Sequence, residues 1–338
     1  MTKREDLCIG IDIGGTHVRA AVVDADGRVL GQEKHRLQSR EPPQVAEAVV
    51  RAAKTACGAA GLPFGEIKAM GLGLAGMIQK GTGLVLGAPS LGWREVPFVK
   101  LLQARVPKLP LLLANDLSVV AWGERAAGAG RGVDDLLVVL AGTGLGAGLI
   151  LGGRLQEGAT GIAGDFGHVL VHPNGRLCVC GKRGCLEAYA SGQSLAAWAR
   201  DDLRIALAAA RAAGKPNTVG KRLLEHSGNE LEKINAAAME RAAHEGDELS
   251  RRLLEDAGRM LGVALANLVT VLNPARLLLG GGVLLGSPRM MRAVTEAIDA
   301  HASKASRAAL QVGQPALGEQ ACVVGAALLA RETLAQAA

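Results

Sequence analysis

Aromatic side chains are scarce in this chain. Its 338 residues include one Tyr, three Phe and three Trp, so a core has to be built from Ala, Leu, Val and Ile. Little is left for stacking on nucleic-acid bases. The net charge of +6 is spread over scattered Lys and Arg and is too small to argue for a nucleic-acid partner. No apolar run approaches the roughly twenty residues of a membrane span. Residues 1–6 are polar, and Leu7 to Ile13 is too short and glycine-broken for a secretory core. A Walker loop, G-x-x-x-x-G-K-[ST], is missing, and so are Ser- or Pro-rich linkers and short-period repeats. These absences argue against a membrane or secreted protein. The expectation is a cytoplasmic α/β protein of about two domains, with no nucleic-acid or membrane partner.

Glycine, in contrast, is abundant: 46 residues, clustered at turns after apolar runs. Leu7 to Asp12 has the pattern of a buried strand, followed by the turn Gly14-Gly15-Thr16 and a second strand from Val18 to Asp24. A third strand, Arg28 to His35, follows the tight turn Asp26-Gly27. Pro43 to Ala60 has helical spacing, and strands are expected at Lys68 to Leu74 and Leu111 to Ala114. Asn115-Asp116 closes the last of these and opens a helix reaching Ala127. A second set of elements starts at Asp135 to Ala141, turns at Gly142-Thr143-Gly144 and continues as a strand from Ala147 to Leu151. Gln193 to Leu272 reads as helix, broken near Gly214 and Gly228 and stopped at Asn273-Pro274. A strand from Arg276 to Leu279 closes on Gly280-Gly281-Gly282, and Ala321 to Ala335 reads as an apolar helix.

The strand, glycine turn, strand pattern thus occurs twice, each time with a Thr beside glycine. Two such halves describe a cleft that grips a nucleotide from both sides. In the first turn, backbone N–H groups of Gly14 and Gly15 and the hydroxyl of Thr16 can face phosphate oxygens. Asp12, at the strand end, can hold Mg2+ through water. The same residues also fit a plain β-hairpin, and Arg19 fits either a phosphate ligand or a solvated strand edge. The second turn nominally matches the dinucleotide fingerprint G-x-G-x-x-A, but a strand follows it instead of a helix, so a hairpin facing phosphate is the better reading. Asn115-Asp116 lies at the C-terminal end of a strand, where α/β proteins bind ligands. Asp116 could cap the next helix or act as a general base toward a sugar hydroxyl.

Three of the six cysteines are clustered. Cys178, Cys180 and Cys185 follow His168 within eighteen residues, with glycines between them. In a reducing compartment this Cys3His set favours metal over disulfide, and four protein ligands close a tetrahedral, structural Zn2+ site. His168 can bind the metal through one ring nitrogen and offer the other to a substrate. The carboxylates of Asp165 and Glu187 flank the set and suggest a ligand pocket held in shape by zinc. Cys8, Cys57 and Cys322 sit in apolar contexts and read as small core residues.

Together these segments resemble the ROK family of repressors, open reading frames and sugar kinases. The resemblance runs through GIDIGGTHVRAAVVD, GAPSLGW, ANDLSVVAWGE, LAGTGLGAGLILGGRL, GHVLVHPNGRLCVCGKRGCLEAYASG and NPARLLLGGGV, nearly the whole chain. The GAPSLGW segment points to the family's bacterial glucokinase branch. The resemblance implies an actin-like (ribonuclease H-like) α/β fold of two lobes around a cleft. The smaller lobe would comprise residues 1–116 plus 320–338, and the larger, zinc-holding lobe residues 117–319. It also implies ATP-dependent phosphorylation of a hexose, usually at its 6-hydroxyl, with Mg2+ as cofactor and a homodimer or dimer of dimers as the assembly. Asp116 matches the family's catalytic base. Gly76, Asn115, His168 and Glu187 match its sugar side, and Ser90 and Asp165 stand at sugar-side positions that depart from its pattern. Thr16, Arg19, Thr143 and Gly144 match phosphate contacts, and the turn Gly280 to Gly282, through Gly281 and Gly282, matches the adenosine side.

The departures are Asp165 for the usual Glu, Ser90 for the usual Asn, and Ala75 where proline is often found. All three fall on the sugar side, so a kinase for N-acetylmannosamine, fructose, mannose or allose stands beside glucokinase. A sugar-sensing regulator is disfavoured, because the first turn begins at Asp12 and leaves no room before it for a DNA-binding domain.

Overall fold

Apolar runs joined by glycine turns fold into two sheets built on one plan. The computed structural model describes residues 7–337; the polar stretch 1–6 and residue 338 of the expected smaller lobe lie outside the described residues. The first sheet contains β1 (Cys8–Ile13), β2 (His17–Val23), β3 (Val29–Arg36) and β4 (Ala69–Leu74). A small separate sheet follows, made of β5 (Met77–Gln79), β6 (Leu84–Ala88) and β7 (Trp93–Val96). The chain then returns to the first sheet as β8 (Leu111–Asn115), giving the order β3-β2-β1-β4-β8. The second sheet contains β9 (Leu136–Ala141), β10 (Leu145–Leu151), β11 (Arg154–Leu155), β12 (Arg276–Gly280) and β13 (Gln311–Gly313), in the order β11-β10-β9-β12-β13.

In each sheet three antiparallel strands are followed by two parallel ones. The repeated strand–turn–strand pattern of the sequence therefore marks a repetition of the whole sheet. The expected strands all form, within about two residues of their expected ends. The three short strands β5 to β7 were not anticipated, nor was the helix Pro288–His301.

Two helices connect the sheets. Asp116–Ala127 leaves the first sheet at β8 and packs on β9 and β10. Ala321–Ala337 follows the second sheet and packs back on β1 and β4. They cross at Gly123 and Gly325, where a Cβ on Gly325 would lie 1.7 Å from the carbonyl oxygen of Val119. Only glycine permits that approach. Around the crossing, Cys8, Val119, Val120, Val138, Leu278, Val323 and Val324 form one buried cluster. Its members come from both sheets and both helices, so apolar burial welds the two halves at their base.

A buried carboxylate reinforces this joint. Glu124, on the first connecting helix, accepts hydrogen bonds from the backbone N–H groups of Ala129 (2.9 Å), Ala316 (3.0 Å) and Leu317 (2.9 Å). Each half then has its own apolar cover. Val45, Ala46, Val49, Ala52, Ala53 and Ala56, recurring with the helical period, bury one face of the helix Pro42–Ala59 against the first sheet. Glu248–Leu272 is the long helix of the second half, packed along Pro288–His301 and ended by Asn273 in the left-handed region with Pro274 behind it.

Candidate functional site

Both glycine turns are hairpin connections of three residues. The Gly14 N–H donates to the His17 carbonyl, and the Gly142 N–H to the Gly144 carbonyl, each at 2.9 Å. Hairpin and phosphate turn are therefore compatible readings of one geometry, set at equivalent places in the two sheets. Thr16 and Thr143 are exposed at the tips. Below the first tip, Asp12 and Arg19 face each other in register across β1 and β2, with 3.9 Å between their charged groups. Arg19 also lies 3.4 Å from Glu319. Burial pushes the Asp12 carboxyl above the usual range, while Arg19 and a hydrogen bond from Cys322 pull it the other way. The turn also abuts the Pro89–Ser90 turn between β6 and β7: a Cβ on Gly15 would lie 2.9 Å from the Ser90 carbonyl oxygen. The first glycine turn and the Pro89–Ser90 turn thus share a wall.

At the end of β8 the helix cap is Asn115, and Asp116 is the first helical residue. The Asn115 side-chain oxygen accepts from the N–H of Leu117 (2.9 Å) and of Ser118 (3.3 Å). Its amide nitrogen donates to the Gly76 carbonyl at 3.1 Å, fixing the loop after β4. Because Asn115 performs the capping, the Asp116 carboxyl is left to face Asp12. Burial, and then the negative charge of Asp12, push it up to about 6, against the pull of the Leu117 backbone hydrogen bond. The next residue, Leu117, reaches β10: a Cβ on Gly146, just past the second turn, would lie 2.4 Å from a Leu117 methyl. Asp116 therefore stands between the two turns.

Sequence reasoning placed Cys322 in the core, and it is buried. It did not place its thiol against the carboxylates. Burial, and next the charges of Asp12 and Asp116, hold that thiol well above its ordinary range. No local pattern could have revealed a partner some three hundred residues away.

The zinc segment closes the other wall. The Gly164 carbonyl accepts from the Ala147 N–H at 2.9 Å, tying the segment to β10. The four donor atoms of His168, Cys178, Cys180 and Cys185 lie within 4.8 Å of one another. Cys180 and Cys185 sulfurs are 3.7 Å apart, and Cys178 Sγ is 3.6 Å from His168 Nδ1. Zn–S bonds of about 2.3 Å set tetrahedral edges of roughly 3.8 Å, so the set fits a structural zinc. The second nitrogen of His168, Nε2, points the other way and lies 3.8 Å from Asp165 Oδ1. Asp165 itself is half exposed and, among the described residues, holds no closer side-chain partner.

Glu187 opens the short helix Glu187–Ala190, and its carboxylate accepts from the Leu145 N–H at 2.9 Å. It thereby connects the second turn to the zinc segment. The buried Tyr189 hydroxyl accepts from the Arg176 N–H at 2.8 Å and stiffens the same segment. On the remaining side, Gly281 follows β12 against the backbone of Ala141, at the base of the second turn, and Gly282 starts the helix Gly282–Leu285. These contacts link both glycine turns, Asp12, Ser90, Asn115, Asp116, Glu187 and the zinc segment as successive neighbours. Among the described residues, no helix is long and apolar enough to cross a membrane.

Comparison with known proteins places this geometry in context. The sequence pattern of the ROK family matches residues 8–333. The chain is 34% identical to a glucokinase of Streptomyces coelicolor over 327 residues, covering 96% of this chain and 98% of that protein. Among solved structures, a ROK family glucokinase from Streptomyces griseus, in complex with glucose and AMPPNP, is similar with a TM-score of 0.76 and 34% identity. That match covers 96% of this chain and 99% of the other. A ROK hexokinase from Thermus thermophilus is similar with a TM-score of 0.78 and 30% identity, covering 98% and 99% of the two chains.

Proposed function

The chain belongs to the ROK family, and from that premise we propose that it is an ATP-dependent glucokinase with Asp116 as general base. The observation that carries this reading is the placement of Asp116. Its carboxyl is raised to about 6, beside Asp12 of the first turn and one residue from the contact with the second. A base near neutrality at the meeting point of two phosphate turns suits proton removal from a hydroxyl as it attacks a phosphorus.

Gly14, Gly15 and Thr16 on one side, and Thr143 and Gly144 on the other, would hold the ATP phosphates, with Gly281 and Gly282 toward adenosine. Asn115, Asp165, His168, Glu187, Ser90 and the Gly76 loop would hold the sugar. Asp116 orients the 6-hydroxyl and takes its proton as the oxygen bonds to the γ-phosphorus. Asp12, a desolvated carboxylate with one cation at 3.9 Å, suits Mg2+ bound through water, which neutralises phosphate charge when present. Zinc on His168 and the three cysteines would be structural, leaving His168 Nε2 for the sugar side. The units that close on the substrates are residues 1–116 plus 320–338 and residues 117–319, hinged at the crossed helices; closure excludes water and limits idle ATP hydrolysis. Such a kinase works in the cytoplasm. We read the assembly as a homodimer or dimer of dimers, supported by exposed Leu170, Leu177 and Val179 on the zinc segment.

ADP release measured across a panel of glucose, mannose, fructose, allose and N-acetylmannosamine tests the substrate. Glucose should give the highest kcat/KM. A higher value for another sugar would move the assignment to that sugar and point to Asp165 and Ser90 as its source. No turnover with any member would overturn the kinase reading.

A further inference from the structure

Arg40 lies between β3 and the helix Pro42–Ala59, outside every motif considered above. Two hydrogen bonds fix it. The indole Nε1 of Trp93, a buried residue packed against Phe98, donates to the Arg40 carbonyl at 2.6 Å. The Arg40 Nε donates in turn to the carbonyl of Gly15, in the first phosphate turn, at 3.2 Å. Gly15 is also the residue whose backbone abuts Ser90. The guanidinium therefore stands where the first phosphate turn meets the Pro89–Ser90 turn, the junction of the phosphate and sugar sides.

Acidic groups gather at this junction. Asp12 and Asp116 are both acidic, and Arg19 is engaged by Asp12 at 3.9 Å and Glu319 at 3.4 Å. Arg40 is exposed, and among the described residues its Nη1 and Nη2 make no hydrogen bond or ion pair. Its planar fork is held at one edge by Gly15 and open at the other. Such a fork matches the paired oxygens of a phosphoryl group.

We propose that Arg40 is a further catalytic residue, its two Nη groups binding the γ-phosphoryl oxygens during transfer to the sugar. The inference rests on the kinase reading above. In the step it serves, the sugar oxygen bonds to the γ-phosphorus and its proton passes to Asp116. The bond from that phosphorus to the β,γ-bridging oxygen breaks, and the electron pair leaves with ADP. Arg40 neutralises charge on the non-bridging oxygens and exchanges no proton.

The test compares wild type with Arg40→Met, which keeps the stem and removes the fork, and with Arg40→Gly. Arg40→Met should lower kcat about 100- to 1,000-fold, as loss of a cation on a transferring phosphoryl group does. It should weaken AMPPNP binding about tenfold while leaving ADP binding unchanged, because ADP lacks the γ-phosphate. Added guanidinium ion should restore part of the turnover of Arg40→Gly, and sodium chloride at equal ionic strength should not. A residue that only steadied Gly15 would weaken AMPPNP and ADP alike and resist rescue; that pattern would overturn the proposal. If Arg40→Met does not fold, Arg40→Lys decides by the same AMPPNP-to-ADP ratio, which should fall less than tenfold but measurably. Wild type without sugar-dependent turnover would instead overturn the kinase reading, whereas the nucleotide-binding ratio still judges Arg40.

Discussion

At Asp116 stability and chemistry oppose each other. Its carboxyl is raised from 3.8 to about 6, so the folded chain holds that proton more tightly than the unfolded one. The stabilising contribution is complete below pH 3.8 and is lost as the pH rises through about 6. Above that value the ionised group is a burden on the fold, and the proposed base must be ionised to work. Asp116→Asn should therefore raise the melting temperature at pH 8, by the equivalent of about 1–2 kcal/mol after allowance for partial exposure. The gain should vanish near pH 4. In the wild type, kcat/KM should fall as the pH drops through about 6, the limb reporting deprotonated Asp116 in free enzyme. A profile flat from pH 5 to 8 would mean that another group takes the proton.

The connecting helices carry the next scale. Glu124 is fully buried and holds three backbone N–H groups, two of them from the segment leading into the helix Ala321–Ala337. Glu124→Gln supplies one acceptor oxygen for three donors and buries an amide NH2 without a partner. It should cost about 2–4 kcal/mol in urea unfolding; a loss below about 0.5 kcal/mol would show that this contact is dispensable. No sequence pattern announces Glu124, because two of its three partners are nearly two hundred residues away. The same holds for Cys322, whose burial followed from its apolar neighbours but whose thiol contact with Asp12 did not. Local signals read well where chemistry and backbone agree. Buried strands ending in glycine turns, and Asn273-Pro274 after a long amphipathic run, are examples. The strands β5 to β7 are three to five residues long, too short for a periodic signal and interrupted by Gly81, Gly83 and Gly92. Asp116 reads in the sequence as either a helix cap or a base; the cap is Asn115, whose side chain accepts from the Leu117 and Ser118 N–H groups, because a cap stands one residue before the first helical one.

In the molecule as a whole, two copies of one sheet plan face each other over a cleft and are joined at the crossed helices. The zinc segment is strapped to the second sheet through Gly164 and Glu187. Removing zinc should loosen His168, Asp165 and Glu187 together, on the sugar side. In folded, metal-free protein, calorimetry should find glucose affinity reduced more than AMPPNP affinity; equal losses would count against a histidine shared between metal and sugar. Of the three positions that depart from the pattern the family resemblance implies, Ala75 and Ser90 lie on the side of the first turn and only Asp165 lies in the zinc segment, beside His168. In the reading proposed above the transfer depends on Asp116, and one comparison tests that most directly: turnover of Asp116→Ala with glucose and ATP, beside glucose binding measured calorimetrically. The prediction is a fall in kcat of at least about 100-fold with glucose affinity within about threefold of wild type. Near-normal turnover in that variant would contradict it.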